Sequence, residues 1–259
     1  MKRLPRRLRP GEEATLVEHL DELRTRIIVS LAALVVATAV AYVFRGHLLH
    51  WLNQPLPADK RKPVTFGVAE PFLTSLMVSL YAGLLLAMPV IFWQVWGFLA
   101  PAFVEHTQRV ISGFVAFSVG LLLAGVVFGY FVVLPAAVHF LTNYDEQRYT
   151  ILIRARDYYS FAALAMLAVG VVFEVPVFVL ALVRLRVFTA ARLRRNWRIG
   201  VVVMAAIAVA LPGVDPVTTT FEMIPLVTLY LLSIVLAGVF EKRWWGRDVG
   251  VPSTGAEVP

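Results

Sequence analysis

Six runs of nearly uninterrupted apolar residues alternate along the chain with shorter polar segments. A helix that crosses a membrane needs about 20 apolar residues, within a range of about 17 to 25. The fifth run corresponds to only about 20 Å of helix, so either it extends through Asn196 and Trp197 or the bilayer is thinner there. The pattern predicts an all-α polytopic membrane protein whose last two helices are short. The six spans are predicted over 27–44, 72–98, 110–134, 158–183, 199–211 and 221–240.

The polar segments complete the predicted organisation. Residues 1–240 form a single six-helix transmembrane domain, residues 1–26 are its amphipathic arm, and 241–259 is a tail predicted to be disordered because it has no periodicity. Apolar residues make up 59% of the chain and charged residues only 16%, whereas about a quarter of a soluble domain is charged. The absence of cysteine excludes a disulfide scaffold and a thiolate metal site. No internal repeat is visible, so the inverted-repeat signature of many transporters is missing.

Lysine and arginine indicate how the spans are oriented. An even number of spans places both termini on one side, and cytoplasmic loops carry the excess of basic residues. The side with the termini is the more basic, which predicts cytoplasmic termini and accounts for the net charge of +7 without nucleic acid. That side holds Lys2, Arg3, Arg6, Arg7, Arg9, Arg24, Arg26, Arg109, Arg184, Arg186, Arg192, Arg194, Arg195, Arg198, Lys242, Arg243 and Arg247, and the other holds Arg45, Lys60, Arg61, Lys62, Arg148, Arg154 and Arg156.

The arm before the first span is unexpectedly acidic. Glu18, Glu22 and Arg26 share one face of a predicted helix at spacing i, i+4, i+8. One interpretation is an interfacial helix in which Glu22 pairs with Arg26, worth roughly a few tenths of a kcal/mol. Because anionic lipid favours cations at this surface, the second interpretation is an acidic patch that grips a basic ligand. Carboxylates suit arginine because its guanidinium fork binds them bidentately.

Glu174 lies within the otherwise apolar stretch "VVFEVPVF" of the fourth span. It is about nine residues from the cytoplasmic end, or roughly 14 Å deep, near the bilayer midplane. An acid at this depth is costly and typically functional, although a buried glutamate bonded to a neighbouring helix is the alternative. Pro176 cannot donate to the carbonyl of Val172, so a kink is expected there.

Two connecting segments also carry candidate residues. Pro101 ends the second span and exposes Glu105 to the cytoplasm, either as a solvated loop or as a functional one. In "LPGVDPVTTTFEMIP" Asp215 belongs to a tight turn, and polar groups then reach the edge of the apolar zone, either as a functional site or because a threonine caps the sixth helix. These groups are Thr218, Thr219, Thr220 and Glu222. A P-loop, H-E-x-x-H and G-x-S-x-G are absent from the sequence, so no enzyme activity and no cofactor are predicted.

Several motifs in order resemble one family. "HLDELRTR" resembles the HLxELRxR signature of TatC, the multispanning subunit of the twin-arginine protein translocase, and "AEPF", "PVIFWQVWGFLAPAF", "GVVFEVPVF" and "PGVDPVTTTFEMIP" are similar to that family too. The similarity covers the chain from Val17 to about Phe240. It implies a non-enzymatic receptor in the bacterial cytoplasmic membrane with a concave, glove-like cup of helices. Its partners would be the single-span proteins TatA and TatB, twin-arginine precursor proteins, lipid and further copies of itself, with transport driven by the proton motive force.

The resemblance also implies roles for individual residues. Glu22 would bind the signal peptide, and Glu174 would face the hollow of the cup. The signal-binding surface would further include His19, Arg24, Phe98 and Pro101. Pro176, Asp215 and Thr219 would accompany Glu174 as an intramembrane polar site and partner contact.

Two departures from the family pattern affect these roles. The loop "APAFVEHTQR" has Thr107 where the family typically has an acid, so our hypothesis is that Glu105 substitutes for it. The polar turn has Pro212 and Gly213 where a threonine and a proline are common.

The alternative function from the residues alone is a proton-coupled solute transporter in which Glu174 titrates.

Overall fold

The structure, a computed structural model, describes residues 16–99, 108–145, 147–149, 151–213 and 215–245. The helical bounds within these residues follow the apolar runs, but the third and sixth spans extend beyond the predicted 110–134 and 221–240. The helices are α1 (Leu16–Val43), α2 (Arg45–Asn53), α3 (Glu70–Leu99), α4 (Gln108–Phe128), α5 (Leu134–Asn143), α6 (Ala155–Val172), α7 (Val175–Arg184), α8 (Ala190–Arg195), α9 (Trp197–Ala210) and α10 (Pro216–Trp245).

The described residues include five helical segments that are long and apolar enough to cross a membrane, and a sixth that is shorter. The third segment is continuous because the wider π-helical turn Gly129–Val133 joins α4 to α5. The short one, α9, begins at Trp197 and leaves Asn196 outside, so it has 14 residues and spans about 21 Å. The five long segments are His19–Val43, Glu70–Leu99, Ile111–Asn143, Ala155–Arg184 and Pro216–Glu241.

The last helix is longer than the sequence predicted. α10 has 30 residues, about 45 Å, so the expectation that both final helices are short holds for α9 but was wrong for α10. In its first turns Thr220 Oγ1 donates to the Pro216 carbonyl at 2.6 Å. At its other end it passes residue 240 and continues to Trp245.

The fourth span is broken into two helices. α6 ends at Val172 and α7 begins at Val175, so a turn at Phe173 and Glu174 separates them. Pro176 is buried in the first turn of α7, where its missing N–H costs least. The expected distortion is therefore confirmed, as a break two residues before the proline.

The helices pack in an open series. α1 packs mainly along α3, α3 and α4 pack against α6, and α7 and α9 pack against α10. Gly83 lets α1 approach α3 closely, because a Cβ at that position would lie 2.6 Å from the Thr38 Cα. The span formed by α6 and α7 is the most buried, with 56% of its most apolar window inside the protein, compared with 6% for α1. We call the face where α1 begins and α10 ends the proximal face, and the opposite one the distal face.

The distal connection between α1 and α3 is fixed to α6 by polar contacts. Glu70 is only 6% exposed, and its Oε1 accepts a hydrogen bond from Arg154 Nε at 2.9 Å. This hydrogen bond raises the pKa of the Arg154 guanidinium further above its usual value. Val64 pairs with the same segment through its N–H to the Ile153 carbonyl, at 2.8 Å.

The short helix α2 lies on protein rather than only on the bilayer surface. Leu52 is buried against α3 and α6, and the hydroxyl of Tyr158 donates to its carbonyl. Tyr159 Oη donates to Asn53 Oδ1 at 2.9 Å. Leu52 and the two tyrosines are therefore held by contacts within the protein. Trp51 remains 59% exposed.

Candidate functional site

The proximal face brings the start of α1 together with the end of α3. The His19 ring stacks on Phe98, with ring centroids 4.3 Å apart and planes inclined by 14°. Glu22 lies one turn after His19, and its Oε2 is 3.9 Å from His19 Nδ1. Two of the predicted signal-binding residues thus meet across two helices, with the acid beside them.

Arg26 divides its hydrogen bonds between Glu22 and α3. Glu22 Oε1 accepts from Arg26 Nε at 2.9 Å and from Nη2 at 2.5 Å. Arg26 Nη1 donates to the carbonyl and to Oε1 of Gln94, both at 3.3 Å. The pairing of Glu22 with Arg26 is therefore confirmed. It also ties α1 to α3, a role that helical spacing alone does not reveal.

Among the remaining predicted members of this surface, the structure describes only Arg24. Arg24 is exposed and points away from Glu22, because two positions on a helix are separated by about 200°. Pro101, Glu105 and Thr107 lie outside the described residues.

Glu174 faces the interface between α4 and α7. Ser118 of α4 lies beside it, and the Ser118 hydroxyl accepts from Trp96 Nε1 at 3.4 Å. Glu174 Oε1 is buried without a hydrogen-bond partner among the described residues. The acid therefore lies at a three-helix contact with one oxygen unsatisfied. The position of Ser118 beside Glu174 could not be predicted, because a single serine in an apolar run does not show which helix it faces.

Asp215 caps α10, so the expectation of a threonine cap was wrong. Asp215 Oδ1 accepts from the Thr218 N–H at 2.8 Å, and Oδ2 accepts from Thr218 Oγ1 at 2.6 Å. Thr219 Oγ1 donates to the carbonyls of Asp215 and Gly213, at 2.9 and 3.2 Å. Aspartate is among the most favoured N-cap residues and proline the favoured next one, which explains the helix start. Gly213 has φ +141°, a conformation that side chains disfavour.

The structure separates the predicted intramembrane polar site into two places. Asp215 and Thr219 lie in the distal turn, whereas Glu174 lies between α4 and α7, and no hydrogen bond joins the two groups in the part of the chain described. A further buried acid lies near the turn. Glu222 is 1% exposed, and neither carboxylate oxygen has a hydrogen-bond partner among the described residues. The sequence placed Glu222 among the polar groups at the edge of the apolar zone but did not indicate that its side chain is buried.

Nearly all of these residues fall within a match to a known family. A family model described as Sec-independent protein translocase protein (TatC) matches residues 18–225. The chain belongs to the TatC family.

Individual TatC proteins agree with this assignment. The Sec-independent protein translocase protein TatC of Carboxydothermus hydrogenoformans is 35% identical over 230 residues, covering 88% of this chain and 95% of that protein. TatC of Deinococcus radiodurans is 35% identical over 236 residues, covering 88% and 87%. A crystal structure described as the twin-arginine translocase receptor TatC in DDM matches with a TM-score of 0.76 at 30% identity, over 85% of this chain and 99% of that one.

Membership of the TatC family confirms the predicted resemblance and the all-α polytopic fold. It makes the chain a multi-pass membrane protein and a component of a protein translocase. It therefore favours protein transport over the solute transport that Glu174 alone left open.

Proposed function

We propose that this protein is the signal-peptide receptor of a twin-arginine translocase in the bacterial cytoplasmic membrane. Its proximal face is cytoplasmic, and there it recognises the paired arginines of precursor proteins. TatA and TatB assemble with it, further copies associate in the same complex, and the proton motive force drives export of the folded cargo. The solved TatC that resembles this chain is described as a translocase receptor, which supports the proposal.

The exposure and the hydrogen bonds of the Glu22 carboxylate are the observation that carries this proposal. The Glu22 side chain is 35% exposed, and the two hydrogen bonds that it accepts from Arg26 are both made to Oε1. Oε2 points instead toward His19, whose ring stacks on Phe98. A guanidinium from a ligand can bind Oε2 while its apolar stem packs beside the two rings, because arginine combines a planar fork with an apolar stem. Arg26 holds the acid in place for it.

Replacement of Glu22 by alanine tests the acidic grip. We expect Glu22→Ala to weaken binding of a twin-arginine signal peptide to the protein in nanodiscs at least tenfold, since a hydrogen bond to a charged group contributes about 1.5–3 kcal/mol. Asp21→Ala is the matched control, because Asp21 is an exposed acid on another face of α1. Equal losses in the two variants, or equal affinity for a twin-lysine peptide, would contradict the proposal.

The contribution of Glu105 is tested in the same assay. If Glu105 replaces the acid that is missing at Thr107, Glu105→Ala weakens peptide binding and Thr107→Ala leaves it unchanged. The reverse order would show that the loop works differently. Neither outcome changes the comparison of Glu22→Ala with Asp21→Ala. The roles of Glu105 and Glu22 can therefore be contradicted independently.

Glu174 is proposed as the polar site that the signal peptide or a partner helix meets within the membrane. One of its oxygens is buried and unsatisfied, and such a group is stabilised when a donor reaches it. We expect Glu174→Gln to slow export of a twin-arginine reporter without lowering the melting temperature, because glutamine keeps the shape of the side chain and polar atoms beside Ser118. Normal export by Glu174→Gln would instead indicate a purely structural role.

A further inference from the structure

A groove lies between the short helices α8 and α9 and the proximal half of α10. It has a volume of about 650 Å³. Its floor is the stripe Leu231, Val235 and Val239 at i, i+4, i+8 of α10, and its mouth is formed by Arg194 and Trp197. The groove exists because α9 starts only at Trp197 and covers too little of the 30-residue α10.

The mouth of the groove is positively charged and uncompensated. Arg194 Nη2 lies on α10, because a Cβ at Gly238 would be only 3.3 Å from it. No ion pair joins Arg194 to an acid in the described residues. The acid of this region, Glu241, instead accepts the Ala190 N–H at 2.9 Å. Arg198 adds further positive charge at the mouth, because its Cζ lies 5.9 Å from the centroid of the Trp197 ring.

The floor of the groove is apolar and accessible. Leu231 is 39% exposed, Val235 64% and Val239 62%. The stripe is about 12 Å long, which is less than half of a hydrocarbon core of about 30 Å. Its length matches part of one leaflet rather than a spanning partner helix. Trp197 stands between stripe and arginine, as tryptophans do at the boundary of hydrocarbon and headgroups.

We propose that this groove binds one anionic phospholipid of the leaflet at the proximal face. Arg194 binds the phosphate, because guanidinium and phosphate oxygens form charge-assisted hydrogen bonds. An acyl chain lies along Leu231, Val235 and Val239. Arg198, beside Trp197 at the mouth, favours an anionic headgroup over a zwitterionic one, since basic groups near a membrane surface attract anionic lipid. The inference goes beyond signal recognition and depends on the proposed function only for calling that leaflet cytoplasmic.

Native mass spectrometry of the full chain tests this site. The detergent-solubilised protein is titrated with phosphatidylglycerol and, separately, with phosphatidylcholine of the same acyl chains. We expect tighter binding of phosphatidylglycerol, and we expect Arg194→Gln to weaken it about fivefold. Arg195→Gln is the matched control, since it removes the same charge from α8 but does not line the groove. Val235→Trp fills the floor and should weaken binding of both lipids.

Each other outcome would overturn the proposal in a distinct way. Equal losses in Arg194→Gln and Arg195→Gln would indicate diffuse surface charge instead of a site. Equal retention of the two lipids by the unaltered chain would exclude selection of the headgroup. Full phosphatidylglycerol binding by Val235→Trp would place the acyl chain elsewhere. A lipid-free dimer lost only in Val235→Trp would assign the groove to a second copy. None of these outcomes bears on peptide binding at Glu22.

Discussion

Glu174 and Glu222 both interrupt apolar helices, but their surroundings differ. Glu174 is half-buried and has Ser118 beside it. Glu222 is 1% exposed, and both of its oxygens lack a hydrogen-bond partner in the described residues. Burying an unpaired polar group costs free energy, and burying it ionised costs much more. Glu222 therefore lowers the stability of the fold.

Removing the Glu222 carboxyl should stabilise the protein. We expect Glu222→Met to raise the free energy of unfolding by about 1–3 kcal/mol, the typical cost of an unsatisfied buried group, because methionine fills a similar volume without polar atoms. Thermal unfolding in detergent measures the change. Thr228→Val is the control, since it removes an exposed hydroxyl from the same helix and should have little effect. A loss of stability in Glu222→Met would show that the acid has a stabilising partner.

At the scale of elements, helix ends depend on side chains that the apolar pattern does not contain. The sequence predicted the start of the last helix at residue 221, where the apolar run begins, but α10 starts at Pro216. Asp215 supplies the cap, and the threonines that follow bond to carbonyls one turn back. Periodicity could not show this, because whether threonine hydroxyls bond inside a helix depends on the helix having already formed.

Substitution of Asp215 tests whether this residue sets the start of α10. Asp215→Ala should lower the free energy of unfolding by about 0.5–2 kcal/mol, the usual cost of losing an N-cap. Asp215→Asn should recover most of it, because the amide oxygen can still accept from the Thr218 N–H. The two melting curves are compared in the same detergent. Equal destabilisation by alanine and asparagine would mean that the negative charge, not the cap, matters.

At the scale of the whole molecule, much of the architecture could be predicted from the sequence. The bilayer fixes the length of a spanning helix, so five apolar runs were sufficient to locate five long helices. The side-chain contacts between helices could not be predicted, since they depend on how each helix is rotated. The stack of His19 on Phe98 and the approach of Ser118 to Glu174 are examples.

The ion pair between Glu70 and Arg154 links the two halves of the molecule on the distal face. Arg154→Gln leaves Glu70 buried without its cation, so we expect this variant to be less stable than Glu70→Gln with Arg154→Gln combined. Removing one partner of an ion pair lowers stability more than removing both partners, when the charge that remains is buried. The rate at which a protease cleaves the 54–69 segment in oriented vesicles measures how firmly this connection is held to α6. Equal cleavage of the single and double variants would show that the ion pair contributes nothing.

The same ion pair sets an order of events during synthesis. Its two residues are 84 positions apart in the chain, and the Val64 bridge needs the same late segment. At about 5–20 residues per second, the ribosome needs roughly 4 to 17 seconds to make that interval. Until this segment has been made, Glu70 and Val64 lack the partners that fix the loop to α6. Nascent chains stalled before Arg154 should therefore expose this loop to protease, and chains stalled well after it should protect the loop.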